Sequence, residues 1–100
     1  MSNLKKCNTL EEVRSEIDKI DDQLVETISD RSHLIRQAAS FKNSVDEVKA
    51  QDRIDFIIQR VRHKGIQLGI NPNMLAEIFT IMIDEMVEME ISEFRNSDVF

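Results

Sequence analysis

Hydrophobic residues in the first half of the chain recur at steps of three and four. Between Thr9 and Lys42 the apolar positions that follow this period are Leu10, Val13, Ile17, Ile20, Leu24, Ile28, Leu34, Ala38 and Phe41. This period predicts one long amphipathic helix with a single apolar stripe, and not a strand. Thr9 and Glu12 have the spacing of a capping box, which marks the start of the helix. No glycine or proline interrupts it before Asn43.

A second amphipathic segment follows a polar connection at residues 44–47. Its helix is expected to start between residues 48 and 51 and to end by Gly69, a typical helix C-terminal residue. Its inward-facing residues are Ile54, Ile57, Ile58 and Val61.

Asn71 and Pro72 are the strongest helix-start signal in the chain. Asparagine is a favoured N-cap, and proline is favoured at the first helical position. The third helix is expected to run to about Phe94, with an apolar side formed by Leu75, Ile78, Phe79, Met82, Ile83, Met86 and Val87. The pattern therefore predicts an all-α fold of three helices, long, medium and long.

The length of the first helix predicts a homodimer. A helix of some thirty residues is about 50 Å long, which exceeds the width of a compact domain of this size. Two further helices of the same chain would leave part of its apolar stripe bare, so a second copy is the expected cover. We expect one domain over residues 1–100, with loose ends at residues 1–8 and 96–100.

Composition narrows the class of protein. Apolar residues make up 41% of the chain, which excludes disorder, and no apolar run reaches the length of a membrane span. A net charge of −6 argues against a nucleic-acid partner. Residues 1–6 carry charge without a following apolar region, so no signal peptide is apparent, and Cys7 has no second cysteine to pair with. We expect a cytoplasmic protein with neither membrane nor nucleic-acid partners.

Several cations stand out against this acidic background. Arg31 occupies a place in the apolar stripe, and a buried charge costs several kcal/mol, roughly, unless an anion meets it. Lys42 lies about 16 Å further along the same face, and Arg53 can fold back beside it. Arg14 lies about 25 Å before Arg31 and about 100° round the helix, so within one chain it cannot share their site.

Simpler interpretations stay open for each of these residues. Arg31 could pair with Asp30, with Glu26 or with a glutamate of the third helix, as most helical cations do. The histidines lack partners at metal-ligand spacing, and no glycine-rich phosphate loop is present. We expect no metal site. The remaining cations are interpreted as surface charge, namely Arg36, Arg60, Arg62 and Lys64.

The spacing of the four site cations is more specific than any one of them. Together with Cys7, Leu10, Ala50, Gly69 and the segments 13–21 and 38–42 it carries a resemblance that covers nearly the whole chain. The four cations are Arg14, Arg31, Lys42 and Arg53. In these features the sequence resembles the all-helical chorismate mutases of the type II fold, and among them most closely the bacterial isochorismate-pyruvate lyases of salicylate biosynthesis.

The resemblance implies an intertwined homodimer with two active sites, no cofactor, and a small dianionic substrate, isochorismate or chorismate. It implies that Arg31, Lys42 and Arg53 bind the substrate in one protomer, together with Arg14 of the partner subunit. Lys42 would face the ether oxygen, where negative charge grows as the C–O bond breaks. The implied apolar walls are Ala38, Ile57, Ile83 and Val87.

Two positions bear on the reaction. The resembling mutases have a glutamate at the position of Ile54 that holds the ring hydroxyl of chorismate, whereas the lyases have an aliphatic residue there. At the position of Glu90, the bacterial mutases and lyases that the chain resembles have a glutamine that donates a hydrogen bond to the ether oxygen. An ionised carboxylate cannot donate such a bond. We hypothesise that Glu90 is protonated because burial and the substrate's charge raise its pKa. The alternative is that Glu90 turns outward beside Glu88 and Glu93.

Three functions follow as expectations. The first is an isochorismate-pyruvate lyase that releases salicylate and pyruvate, with weaker conversion of chorismate to prephenate. The second is a dedicated chorismate mutase, which could act on an amino analogue of chorismate. The third, from a different class, is a helical dimerisation module whose arginines merely pair with acids.

Overall fold

Four α-helices and no strands make up the part of the chain that the structure, a computed structural model, describes. It describes residues 4–98, with side chains as far as residue 96. The helices are α1 (Leu10–Ala39), α2 (Val45–Lys49), α3 (Gln51–Leu68) and α4 (Pro72–Asp98). The all-α architecture with three long helices is confirmed, and α2 is a single additional turn within the predicted connection. None of the helices in this described part is long and apolar enough to cross a membrane.

The start of α1 is the predicted capping box. The backbone N–H of Glu12 donates to Thr9 Oγ1 at 3.1 Å, and the Glu12 side chain accepts from the backbone N–H of Asn8 at 2.9 Å. These bonds satisfy donors that the first turn of a helix cannot pair internally. The fold at this end thus follows from local sequence.

The predicted extension of the first helix to Lys42 is wrong, because α1 ends at Ala39. The backbone N–H groups of Ser40, Phe41 and Lys42 each donate to the carbonyl three residues back, at 3.0–3.2 Å. The Ser40 hydroxyl also donates to the carbonyl of Gln37 at 2.7 Å. Bonds of this tighter type close the last turn of a helix, and a local serine bond competes with continued α-helical pairing. Lys42 therefore sits in a connection and not on a helix.

The chain divides into two compact units, at residues 1–33 and 34–100. The part of α1 that lies in the first unit has an exposed apolar stripe. The exposed fraction is 62% for Leu10, 49% for Ile17 and 55% for Leu24. An exposed apolar stripe of this length is typical of a surface that binds another protein surface.

The second unit holds the buried core. There α3 packs against α4, and the short α2 also packs on α4. Its buried apolar residues are Ala39, Val48, Ala76, Ile83 and Ile91. The predicted inner residues of α3 and most of those of α4 are half-buried or buried, whereas Ile78 is 43% exposed.

The corner between α3 and α4 has the chemistry that the sequence predicts. Gly69 adopts φ 75°, and the N–H of Ile70 donates to the carbonyl of Gly65 at 2.8 Å, which is a Schellman-type ending. Asn71 Oδ1 accepts from the N–H of Asn73 at 2.9 Å, and α4 begins at Pro72. The helix then continues to Asp98, four residues beyond its predicted end.

Residues 1–3, 99 and 100 lie outside the described part, and so do the outermost portions of the predicted loose ends. Within the described part, residues 4–9 precede α1 without helical structure, and residues 96–98 belong to α4.

Candidate active site

Lys42 lies in the connection between α1 and α2 and is half-buried. Its Nζ donates to the backbone carbonyl of Glu47 at 3.2 Å. Ser44 is the N-cap of α2, and its hydroxyl accepts from the N–H of Glu47 at 3.2 Å. The Glu47 carboxylate in turn accepts from the N–H of Asn43 at 2.6 Å. These bonds close residues 43–47 into a tight turn around the ammonium group.

Glu90 is the buried acid of the second unit, with 8% of its surface exposed. Within residues 4–98 its Oε2 is buried and has no hydrogen-bond partner. Burial raises the pKa of this carboxyl, and the nearby positive charge of Lys42 opposes that shift with a smaller effect. The alternative in which Glu90 turns outward is therefore wrong, whereas Glu88 and Glu93 are indeed exposed.

The charge of Lys42, in the α1–α2 connection, thus acts on the buried carboxyl of Glu90 on α4. The ammonium can stabilise negative charge that develops on a neighbouring oxygen. The carboxyl can donate a hydrogen bond only while it is protonated, the state that burial favours. Together they offer a cation and a proton donor without any nucleophile.

The predicted apolar substrate-binding residues lie on three helices: Ile54 and Ile57 on α3, Ile83 and Val87 on α4, which packs against α3, and Ala38 near the end of α1. On α4, Ile83, Val87 and Glu90 recur at steps of four and three, so they share one helix face. Ile83 is buried, with 5% exposed, and the others are half-buried, namely Ala38, Ile54, Ile57 and Val87. Their contact with a substrate stays a prediction.

The arginines are distributed over both units. Arg53 lies on the first turn of α3, is exposed, and has its guanidinium carbon 5.2 Å from the centre of the Phe56 ring. In the first unit Arg14 is exposed and Arg31 is half-buried. The convergence of these three residues with Lys42 stays a prediction, in which Arg14 comes from the partner subunit.

Two features of the structure were not predicted from the sequence. Ser44 and Glu47 repeat the Ser/Thr-x-x-Glu signature that identifies the start of α1, and that signature could have found the turn. Arg36 and Arg62 were both predicted to be surface charge. Arg36 is exposed as predicted, and its Nε donates to Met89 Sδ at 3.1 Å, whereas Arg62 is half-buried and donates to Asn73 Oδ1 at 2.8 Å. No local pattern signals contacts of this kind, since they depend on which helices meet.

Among residues 4–98, no group of three or more histidine, cysteine, aspartate or glutamate side chains is arranged to hold a metal ion.

Comparison with known proteins points to one family. The family model described as chorismate mutase type II matches residues 13–91. The chain is also 29% identical, over 76 residues, to a protein named chorismate mutase from Methanocaldococcus jannaschii. That alignment covers 75% of this chain and 77% of the relative. The residues that the family model matches include Arg14, Lys42 and Glu90.

Proposed function

Because the chain belongs to the chorismate mutase type II family, we propose that it catalyses a pericyclic reaction of a chorismate-type dianion without a cofactor. The observation that carries this proposal is the burial of Glu90, which raises the pKa of its carboxyl although the positive charge of Lys42 opposes the shift. Both groups suit an ether oxygen that gains negative charge as its C–O bond breaks. The relative from M. jannaschii, named chorismate mutase, supports the same chemistry.

A pericyclic step demands little covalent chemistry of the protein. In the conversion of chorismate to prephenate the ether C–O bond breaks while a C–C bond forms, so no atom is gained or lost. In the elimination from isochorismate the C–O bond breaks while a ring hydrogen moves to the enolpyruvyl methylene group, and salicylate and pyruvate separate. Each reaction needs a compact substrate conformer and stabilisation of the ether oxygen.

The two carboxylates of such a substrate call for cations. Arg31, Arg53 and Arg14 of the partner subunit are the proposed ligands, since guanidinium groups pair with carboxylates through two parallel hydrogen bonds. A homodimer is part of this proposal, because Arg14 and Arg31 are seventeen positions apart on the same helix. The exposed apolar stripe of α1 supports a second copy as its cover.

We propose elimination of pyruvate from isochorismate as the main reaction and rearrangement of chorismate as the weaker one. Ile54 supports this order, because a half-buried aliphatic side chain cannot accept a hydrogen bond from the ring hydroxyl of chorismate. A dedicated chorismate mutase is the second candidate, and the family match and the relative's name favour it.

The deciding experiment supplies the purified full chain with chorismate and with isochorismate in separate reactions. Salicylate with pyruvate identifies the lyase, and prephenate identifies the mutase. Lys42→Ala should lower kcat/KM by roughly 100-fold or more, the usual cost of losing one group that stabilises an oxyanion. Lys49→Ala, which removes an exposed lysine from the end of α2, should leave the rate unchanged.

The same assay tests the role of Ile54. Ile54→Glu should shift the product ratio towards prephenate, and Ile54→Val should preserve the original ratio. If the wild-type chain converts neither substrate and binds no bicyclic dianionic transition-state analogue, the enzyme proposal is refuted in favour of a helical dimerisation module.

A further inference from the structure

The turn that follows Lys42 is built more tightly than a plain connection requires. Ser44 Oγ accepts from the N–H of Glu47, and Glu47 Oε2 accepts from the N–H of Asn43. Asn43 and Ser44, the first two residues of the turn, are thereby both bonded to Glu47. The next residue, Val48, is 3% exposed and belongs to α2, which packs on α4. Glu47 is thus fixed through its own amide, its side chain and its buried neighbour.

The backbone carbonyl of this fixed residue accepts a hydrogen bond from Lys42 Nζ at 3.2 Å. A lysine side chain has four rotatable bonds and about 2 kcal/mol of rotamer entropy, so its ammonium is poorly placed without a partner. A carbonyl leaves the charge of the ammonium intact, whereas a carboxylate would neutralise it. The positive field that reaches Glu90 is therefore preserved.

We propose that Ser44 and Glu47 are positioning residues that hold the Lys42 ammonium where the reaction needs it. They act through the Glu47 carbonyl and do not touch the substrate. This inference rests on the proposed function, because it assigns Lys42 a role in stabilising the ether oxygen. It extends the proposed function to two residues that lie outside the predicted set of substrate-binding residues.

A positioning role predicts a particular kinetic signature. A misplaced ammonium still attracts a dianion, so KM should change little, whereas stabilisation of the transition state depends on geometry. We expect Ser44→Ala and Glu47→Ala each to lower kcat by about 10-fold, since small displacements of a catalytic group carry penalties of this order. Ser44→Thr and Glu47→Gln retain hydroxyl and carbonyl acceptors, so they should restore most of the lost rate.

A matched control separates hydrogen bonding from charge. Asp46→Ala removes a negative charge from the same turn of α2, but its exposed side chain makes none of the bonds described above. It should keep the wild-type kcat. Thermal unfolding of every variant by circular dichroism shows that the assays are made on folded protein.

A double-mutant cycle provides the decisive measurement. If the turn acts through Lys42, adding Ser44→Ala or Glu47→Ala to Lys42→Ala should lower kcat no further. Full additivity of the two effects would overturn the inference, and so would an unchanged kcat in both single variants. Failure of the wild-type chain to turn over either substrate would refute the proposed function instead.

The placement of the ammonium can also be measured without turnover. The Lys42 ammonium protons should exchange with water more slowly in the wild-type chain than in Ser44→Ala, as seen by NMR on protein labelled with ¹⁵N lysine. Lys42→Arg identifies the signal by its loss. Equal exchange rates in the two proteins would contradict the positioning role even if the enzyme proved inactive.

Discussion

At the scale of single residues, the chemistry of Glu90 depends on where the fold buries it. An exposed glutamate would be ionised at neutral pH and would repel an oxygen that gains negative charge. Glu90 is 8% exposed, and its burial raises the pKa of the carboxyl. The positive charge of Lys42 opposes this shift but is the smaller effect. Desolvation thus outweighs the cation and favours the protonated, donating form.

The pH dependence of catalysis tests this assignment. Because the protonated carboxyl is the donor, kcat should fall as the pH rises through the pKa of Glu90 in the bound enzyme. Glu90→Gln donates at every pH, so its profile should be flat over the same range. Glu90→Ala should lose roughly 100-fold in kcat, as expected for a missing oxyanion donor. Superimposable profiles for the wild type and Glu90→Gln would contradict a protonated Glu90.

Stability should vary with pH in the same direction. A carboxyl whose folded pKa is raised binds its proton more tightly in the folded state than in the unfolded state. Its contribution to the free energy of unfolding is therefore fully present below the unfolded pKa and is lost as the pH rises through the folded pKa. Glu90→Gln lacks this loss, so its Tm should exceed the wild-type value at pH 8 by more than at pH 4. Glu88→Gln is the matched control, since Glu88 is exposed.

At the scale of helices, the contact of α3 with α4 depends on a residue without a side chain. A Cβ atom at Gly65 would lie 2.5 Å from Leu75 Cδ1 and 3.3 Å from the carbonyl oxygen of Ile70. Gly65 is buried within α3, where glycine is otherwise a poor helix former. The close approach of the two helices explains its presence.

Substitution of Gly65 should therefore destabilise the fold in spite of better helix propensity. Gly65→Val should lower the free energy of unfolding by about 1–3 kcal/mol, the usual cost of overpacking a core. Chemical denaturation followed by circular dichroism measures the change. Gln59→Val introduces the same side chain at an exposed position of α3 and should cost less than about 0.5 kcal/mol. Equal losses in the two variants would show that the contact with α4 does not limit the residue at position 65.

At the scale of the whole molecule, α1 exposes a long apolar surface. Its 30 residues extend for about 45 Å. Seven apolar side chains in the part of α1 that lies in the first unit are 40–67% exposed, namely Leu10, Val13, Ile17, Ile20, Leu24, Val25 and Ile28. Burying such a stripe yields about 25 cal/mol for each Å² removed from water, which favours association of two copies. The homodimer stays a prediction.

Subunit complementation tests both the dimer and the origin of Arg14. Arg14→Ala and Lys42→Ala should each be nearly inactive as homodimers. A mixed dimer would contain one site with both residues intact and one site with neither, so the purified mixed dimer should recover about one half of the wild-type activity. The two chains are co-expressed with different tags, and the mixed dimer is purified before the product assay.

Two results would contradict this arrangement. A monomeric mass in solution would remove the partner altogether. A mixed dimer that regains no activity would show that Arg14 and Lys42 serve a site within one chain. Mixing Lys42→Ala with Arg53→Ala is the control, because both residues are proposed to come from the same protomer.

The sequence by itself determined the features that local physics controls. The capping box at Thr9, the αL glycine at Gly69 and the Asn71–Pro72 helix start involve neighbours within a few positions, so a linear pattern contains them. The three long helices follow from apolar periodicity for the same reason. The family resemblance rested on cation spacing, and the family match confirms it at the level of chorismate mutase type II.

Tertiary structure decided what depends on distant parts of the chain. The apolar period predicted that the first helix extends to Lys42, whereas in the structure it ends at Ala39. Lys42 instead donates a hydrogen bond to the backbone carbonyl of Glu47 in the turn that follows. The inward orientation of Glu90 was open in the sequence, because a glutamate on a helix suits either face. The fold buries that carboxyl and lets the charge of Lys42 act on it, since desolvation and charge are properties of the surroundings and not of sequence position.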